Sequence, residues 1–181
     1  MDTYIVLLRG INVGGRNKLP MADLRALVAG LGFGDVRTHL QSGNVVCTGT
    51  GAASLVAGRV SSAIADQLGL SVPVVARSGG QWAALIAANP FAHGAGDTAG
   101  LHVTVLAAAP DPGRVAALES RAPEFHPDRF VVEGPDVFLR LAGGYSDTKL
   151  QNGVLEKRLG QVATTRNWRT VTALAALAGP R

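Results

Sequence analysis

The chain passes twice through one order of secondary-structure elements, and this repetition limits the possible folds more than any other feature of the sequence. In each half the apolar spacing predicts a strand, a helix, a hairpin of two strands, a second helix and a fourth strand. The first half predicts these elements at 3–9, from Pro20, at 36–41 and 45–48, at 52–68 and at 72–77. The second half predicts them at 101–106, 112–121, 130–133 and 137–141, 149–159 and 161–164. An extra helix follows each half, at 80–88 and 168–178.

Two βαββαβ halves predict an α+β protein in which each half is a ferredoxin-like unit, a four-stranded antiparallel sheet with two helices on one face. Residues 4–8 are apolar without alternation, which favours a strand buried on both faces of its sheet. We expect the halves to occupy 1–90 and 101–181, joined by a linker at 91–100. We also expect Trp82 and Trp168 to lie at equivalent places in the two halves.

The composition predicts a folded protein without a membrane-spanning segment. Apolar residues make up 47% of the 181 residues and charged residues 17%, which is enough apolar surface for a sizeable core. The single cysteine excludes an intramolecular disulfide framework, and the opening MDTYIVLLRG has no signal-peptide pattern, so we expect a cytoplasmic protein. No apolar run approaches the roughly 18 residues that span a bilayer, so we expect no membrane partner.

The net charge of +4 is unevenly distributed along the chain. Residues 1–44 carry +2, residues 45–139 carry −3 and residues 140–181 carry +5. A basic surplus at both chain ends would form an anion-binding surface if the fold brought those ends together. Otherwise it is ordinary solvated charge.

Four motifs occur in order along the chain: LLRGINVGGRNKLPM from Leu7, QSGNVV from Gln41, NPF from Asn89 and ATTRNWRTV from Ala163. Together they resemble the bacterial domain-of-unknown-function family 1697, over essentially the whole chain. The resemblance implies a duplicated α+β fold, supplies no enzyme activity and implies that any functional surface lies where the motifs lie. The family looks to favour an aromatic residue where this chain has Cys47, which argues against a required thiol.

The glycine-rich loop after the first strand is the first candidate for binding chemistry, because a loop between a buried strand and a helix can surround a phosphate with backbone N–H groups. Gly10 and Gly15 have the spacing of a P-loop. However, Arg16 and Asn17 stand where that motif needs lysine and serine or threonine, so nucleotide hydrolysis is not expected. Asn12 replaces the second glycine of the dinucleotide fingerprint. The loop is either a phosphate contact or a plain strand-to-helix connection.

The segment TTRNW is the second candidate. Thr165 or Asn167 can cap the final helix, and Trp168 is expected to pack at its first turn. Arg166 and Arg169 beside a helix N-terminus are unfavourable by about 0.3–1 kcal/mol each unless an anion is bound. These two arginines either form an anion site, shared with the loop after the first strand, or extend into solvent.

The remaining reactive residues form no catalytic constellation, and we expect neither a cofactor nor a metal. Cys47 lies in an apolar strand, where a buried and dispensable thiol is expected. The four histidines show no metal-ligand spacing. Ser146 and Lys149 form an isolated S-x-x-K without its companion motifs. Ser42 and Asn44 lie at the first hairpin and are either turn formers or ligands.

Two functions remain open at the level of sequence. One is a nucleic-acid-binding module that contacts the phosphate backbone, since residues 45–48 and 101–106 offer no Phe or Tyr for base stacking. The other is an enzyme or binding protein for a small phosphorylated or carboxylated molecule in a pocket between the halves. The candidate residues for either function are Arg9, Asn12, Gly14, Gly15, Arg16, Lys18, Ser42, Asn44, Arg166, Asn167, Trp168 and Arg169.

Overall fold

The computed structural model describes residues 1–15, 17–93 and 96–179. The first half contains, in chain order, β1 (Asp2–Leu8), α1 (Met21–Gly30), β2 (Gly34–His39), β3 (Asn44–Gly49), α2 (Ala53–Leu68), β4 (Val74–Ser78) and α3 (Gly79–Ala88). The second half contains β5 (Leu101–Leu106), α4 (Pro112–Glu119), a 3-10 turn (Ala122–Phe125), β6 (Arg129–Glu133), β7 (Asp136–Arg140), α5 (Asn152–Leu159), β8 (Ala163–Asn167) and α6 (Trp168–Ala178). Over the described ranges, no helix is both long and apolar enough to cross a membrane.

The chain forms two compact units, each built on one four-stranded antiparallel sheet. Unit 1 comprises Met1–Ala84 and the end of the chain from Ala173, and unit 2 comprises Leu85–Thr172. The strand orders are β2-β3-β1-β4 and β6-β7-β5-β8, so one topology occurs twice. The predicted α+β fold of two ferredoxin-like halves is confirmed. The division at 91–100 stays a prediction about domains.

The central strand of unit 1 is buried on both faces because its sequence is apolar at consecutive positions. Tyr4, Val6 and Leu8 join the core formed with α1 and α2. Ile5 and Leu7 point to the opposite face and are equally inaccessible to solvent. Each such side chain stabilises the fold by about 1.5–3 kcal/mol, so β1 fixes the position of the loop that follows it.

Hydrogen bonds at the ends of the central strands show which residues of the two halves are equivalent. Leu8 N donates to Gly43 O at 2.8 Å, and Leu106 N donates to Pro135 O at 2.8 Å. Leu8 is therefore equivalent to Leu106, and the rest of each sheet follows from its strand register.

This register makes two buried arginines equivalent. Arg77 on β4 pairs with Ile5, and Arg166 on β8 pairs with Val103, which occupies the position of Ile5 in unit 2. Arg77 is 5% exposed and Arg166 is 9% exposed. A buried arginine in the last strand is thus a shared feature of both halves.

The predicted equivalence of Trp82 and Trp168 is wrong by three residues. Ser78 and Asn167 are equivalent by register, and each is the last residue of its strand. Trp168 follows Asn167 directly, whereas Trp82 is the fourth residue of α3 because Gly79 takes the first helical position. The two tryptophans therefore lie on different turns of their helices.

The last strand and the helix before it differ most from the predicted boundaries. The sequence predicts a strand at 161–164, but β8 continues to Asn167 because the side chains of its polar residues find partners inside the sheet. The helix predicted at 149–159 begins only at Asn152. The segment before it turns instead, since Leu150 N donates to Thr148 Oγ1 at 3.0 Å.

The apolar spacing of 52–68 predicts one buried face formed by Leu55, Val56, Val60, Ile64 and Leu68. The three central residues of this face are buried, but Leu55 and Leu68 are 66% and 39% exposed. Ala57 and Ala63 are buried beside Val60 instead, because small side chains let the helix approach the sheet closely.

Candidate functional site

Asn12 holds the basic loop, which we define as residues 9–20. Its φ of +54° lies in the left-handed region, which asparagine tolerates better than most residues. Nδ2 donates to Leu19 O at 2.9 Å and to Gln41 O at 2.8 Å, and Oδ1 accepts from Leu19 N at 2.9 Å. Asn17 closes the loop from the other side, since its Nδ2 donates to Gly10 O at 3.0 Å. The side chain of Asn12 is thus used to build the loop.

The hairpin tip, which we define as residues 40–43, packs against the basic loop. Ile11 is 1% exposed, and a Cβ atom at Gly43 would lie 2.7 Å from Ile11 Cδ1 and 2.7 Å from Leu8 Cβ. Gly43 also has a φ of +78°, where side chains are strained. Only glycine fits this contact, which joins two of the motifs seen in the sequence into one surface.

Asn44 stabilises the hairpin tip from inside the protein. It is fully buried, and its Nδ2 donates to His39 O at 2.8 Å and to Ser42 Oγ at 3.1 Å. Ser42 itself is exposed. Of these two candidate residues, Asn44 forms the turn, whereas Ser42 is accessible to a ligand.

The exposed face of the basic loop combines positive charge with accessible backbone. Lys18, Gly14 and Gly15 are exposed, and Arg9 is half-buried, with its backbone N donating to Pro73 O at 3.0 Å. Gly14 and Gly15 have φ values of +57° and +76°. The exposed backbone therefore carries no side chain at these two positions. Arg16 lies outside the described residues.

Arg166 does not extend into solvent, so that interpretation of it is wrong. It lies in β8, where its Nη1 donates to Thr164 Oγ1 at 2.8 Å and to Thr165 O at 2.9 Å. Burial lowers the pKa of the Arg166 guanidinium to about 10, partly opposed by the nearby Tyr145. The sequence signal was misleading because arginine is rarely buried and TTRNW lies beside the predicted start of a helix.

The start of α6 is capped as the sequence predicts. Asn167 Oδ1 accepts from Thr170 N at 2.8 Å, and Trp168 is 9% exposed at the first helical position. Arg169 is exposed. These residues belong to unit 2, whereas the basic loop belongs to unit 1. The anion site that the two segments were expected to share therefore stays a prediction.

A chain of polar groups crosses the helix-facing side of the sheet in unit 2. Thr104 Oγ1 donates to Thr165 Oγ1 at 2.7 Å, and Thr165 Oγ1 donates to Asn152 Oδ1 at 2.7 Å. Asn152 N in turn donates to the hydroxyl of Tyr145 at 2.9 Å, and the Tyr145 ring stacks on His102 with centroids 5.8 Å apart. Burial lowers the pKa of His102. The equivalent residues of β1 and β4 are apolar, so this chain distinguishes the second half from the first.

Cys47 is buried, as the sequence predicts, and burial raises the pKa of its thiol to about 11. A thiol with a raised pKa is a poor nucleophile at neutral pH. Within the part of the chain that the structure describes, no three histidine, cysteine or carboxylate side chains come together as metal ligands.

Two exposed arginines on the hairpin of unit 2 were not among the residues that the sequence motifs indicated. Arg129 on β6 and Arg140 on β7 are register partners. A usable signal existed, because counting outward from the two-residue turn Gly134–Pro135 places 129 opposite 140.

The fold and these surfaces define the class of the protein: a duplicated α+β protein of two ferredoxin-like units, with a basic loop in the first. The chain belongs to the family described as "Protein of unknown function (DUF1697)", which matches residues 1–138. The resemblance seen in the motifs is thereby confirmed.

Among solved structures, that of the conserved bacterial protein SP0830 from Streptococcus pneumoniae is similar, with a TM-score of 0.78. The two proteins are 24% identical, and the match covers 98% of this chain and 99% of the other. At this identity the likeness shows the fold alone. No curated protein matches the chain.

Proposed function

We propose that the basic loop and the hairpin tip of unit 1 bind the phosphate backbone of a nucleic acid. One observation carries the proposal: Asn12 and Gly43 join the basic loop, which contains three cations, to a hairpin tip that contains no carboxylate. Residues 9–20 and 39–48 include three basic residues and one histidine, without any Asp or Glu. The hairpin tip therefore places no negative charge beside the cations of the basic loop.

The chemistry of this surface favours phosphate over bases. Lys18 is exposed, and the bare backbone at Gly14 and Gly15 allows a phosphate to approach N–H donors closely. The two segments contain no Phe, Tyr or Trp on which a base could stack. We therefore expect binding that depends strongly on salt and weakly on nucleic-acid sequence.

The test is a salt series of binding measurements by fluorescence anisotropy, with single-stranded DNA, single-stranded RNA and duplex DNA as probes. The plot of log K against log salt concentration should be linear for at least one probe. Lys18→Gln and Arg16→Gln should each lower its slope by about one, for all probe sequences alike.

The matched control is Lys157→Gln, which removes the same charge from an exposed position on α5 in unit 2. It should leave the slope unchanged. Absence of binding to every probe at low salt would refute the proposal, as would a slope that Lys157→Gln lowers as much as Lys18→Gln does.

A further inference from the structure

Two arginines of unit 2 lie side by side on one face of its sheet. Arg140 on β7 is the register partner of both Arg129 on β6 and Leu101 on β5. Register partners in an antiparallel sheet point to the same face, with Cβ atoms about 4.5–5.5 Å apart. Both arginines are exposed, so both guanidinium groups are accessible to solvent on the same face of the sheet.

Neither the fold nor protection of the sheet edge accounts for this pair. A charge on an edge strand such as β6 prevents sheets from associating, which would explain Arg129 alone. Arg140, however, lies on β7, between β6 and β5. In unit 1 the register-equivalent positions are Gly34 and Thr48, so the duplicated fold does not require arginines here. Like charges directly opposite each other are destabilising, and a bound anion would remove that cost.

The pair adjoins two depressions in the surface of unit 2, with volumes of about 430 and 440 Å³. Both depressions are lined by Arg129, Arg140 and Asp97. The first also has exposed apolar walls at Ala99, Pro127 and Ala142. The surface next to the arginines can therefore receive an organic group as well as a charge.

The NPF motif gives one arginine a fixed position. Asn89 is 1% exposed, and its Oδ1 accepts from Phe91 N at 3.0 Å, which holds the turn. The Arg129 guanidinium carbon lies 5.3 Å from the centroid of the Phe91 ring. This cation–π contact preorganises the guanidinium at the second depression, whose lining includes Pro90 and Phe91.

The charges around the pair leave it available to an anion. In the described part of the chain, no ion pair joins Arg129, Arg140 or Asp97 to another residue. Asp97 Oδ1 accepts from Ala99 N at 2.9 Å and so helps to build its own turn. Two guanidinium groups and one carboxylate give this site a net positive charge.

We propose that Arg129 and Arg140 form a binding site for a phosphate monoester, with the phosphate between the two guanidinium forks and its organic group against the apolar walls. Two arginines can supply bidentate hydrogen bonds to one phosphate, which a single lysine cannot. The site belongs to unit 2 and does not depend on the nucleic-acid surface of unit 1.

The test follows the Nε–Hε signals of the arginines by NMR during titration with inorganic phosphate and with phenyl phosphate, against sodium chloride at equal ionic strength. The signals of Arg129 and Arg140 should shift with both phosphates and not with chloride, and phenyl phosphate should bind more tightly. Arg129→Gln and Arg140→Gln should each raise the Kd for phenyl phosphate at least about tenfold. The Kd of Arg140→Lys for phenyl phosphate should lie between those of Arg140→Gln and the unchanged protein, because lysine keeps the charge and lacks the guanidinium fork.

The matched control is the double variant Lys149→Gln/Lys157→Gln, which removes two charges at exposed positions and should bind phenyl phosphate with unchanged Kd. Equal shifts of all arginine signals would overturn the proposal. So would an Arg129→Gln/Arg140→Gln protein that self-associates while binding phenyl phosphate normally, because the pair would then only protect the sheet edge.

Discussion

Replacing Gly43 with alanine measures how tightly the hairpin tip packs on the basic loop. The φ of +78° at this position costs an L-residue about 1–2 kcal/mol. The added Cβ would also lie 2.7 Å from carbon atoms of both Leu8 and Ile11, well inside van der Waals contact. Overpacking of this kind typically costs about 1–3 kcal/mol. We therefore expect Gly43→Ala to lower the free energy of unfolding by about 2–5 kcal/mol.

The matched control is Gly69→Ala, at the C-cap of α2 in the same unit. Gly69 has a φ of +64°, but a Cβ there would meet nothing within 4 Å. Gly69→Ala should therefore lower the free energy of unfolding only by the cost of the positive φ, about 1–2 kcal/mol. Urea unfolding followed by the fluorescence of Trp82, in a Trp168→Phe background, would report on unit 1. Equal losses in the two glycine variants would refute the inferred packing of the tip against the loop.

Three further outcomes are expected. Burial raises the pKa of Cys47 to about 11 from an ordinary 9.0, so the unfolded protein loses the thiol proton at a lower pH than the folded protein. The free energy of unfolding should therefore fall as the pH rises from 9.0 to about 11, by at most about 1.4 kcal/mol per pH unit. In urea unfolding at several pH values, Cys47→Ala should remove this contribution to the pH dependence. Asn167→Ala should lower thermal stability by about 1 kcal/mol because it leaves Thr170 N uncapped, and Asn167→Asp should restore it. Thr165→Val should cost about 1–3 kcal/mol in urea unfolding because Asn152 Oδ1 loses a part-buried donor, and an unchanged midpoint would contradict that role.

Element type and order were predictable because apolar spacing is a local property of the chain. The strand at Leu101–Leu106 matches its predicted bounds, since it is mainly apolar and every one of its residues is buried. The hairpins followed from Ser42–Asn44 and Gly134–Asp136, whose residue types favour turns.

The candidate site was less predictable because it depends on contacts between distant residues. Asn12 was expected at a ligand surface, but its side chain binds Leu19 and Gln41, which no local pattern indicates. Arg166 was expected in an anion site or in solvent because arginine is rarely buried in a strand. Its two hydrogen bonds to neighbouring threonines of β8 are what make that position tolerable.

Unit 1 is built from two segments that are far apart in the sequence, and this affects how the protein folds during translation. Residues from Ala173 complete a unit that otherwise ends at Ala84, and Ala175 lies with Thr3 and Trp82 around one depression of about 650 Å³. During translation the ribosome must add all of unit 2 before these residues emerge, which takes about 4–20 s at typical rates. Until the residues from Ala173 are synthesised, the first half of the chain leaves exposed the apolar surface that they cover. Chaperone binding or misassembly would compete with completion of the fold during this interval.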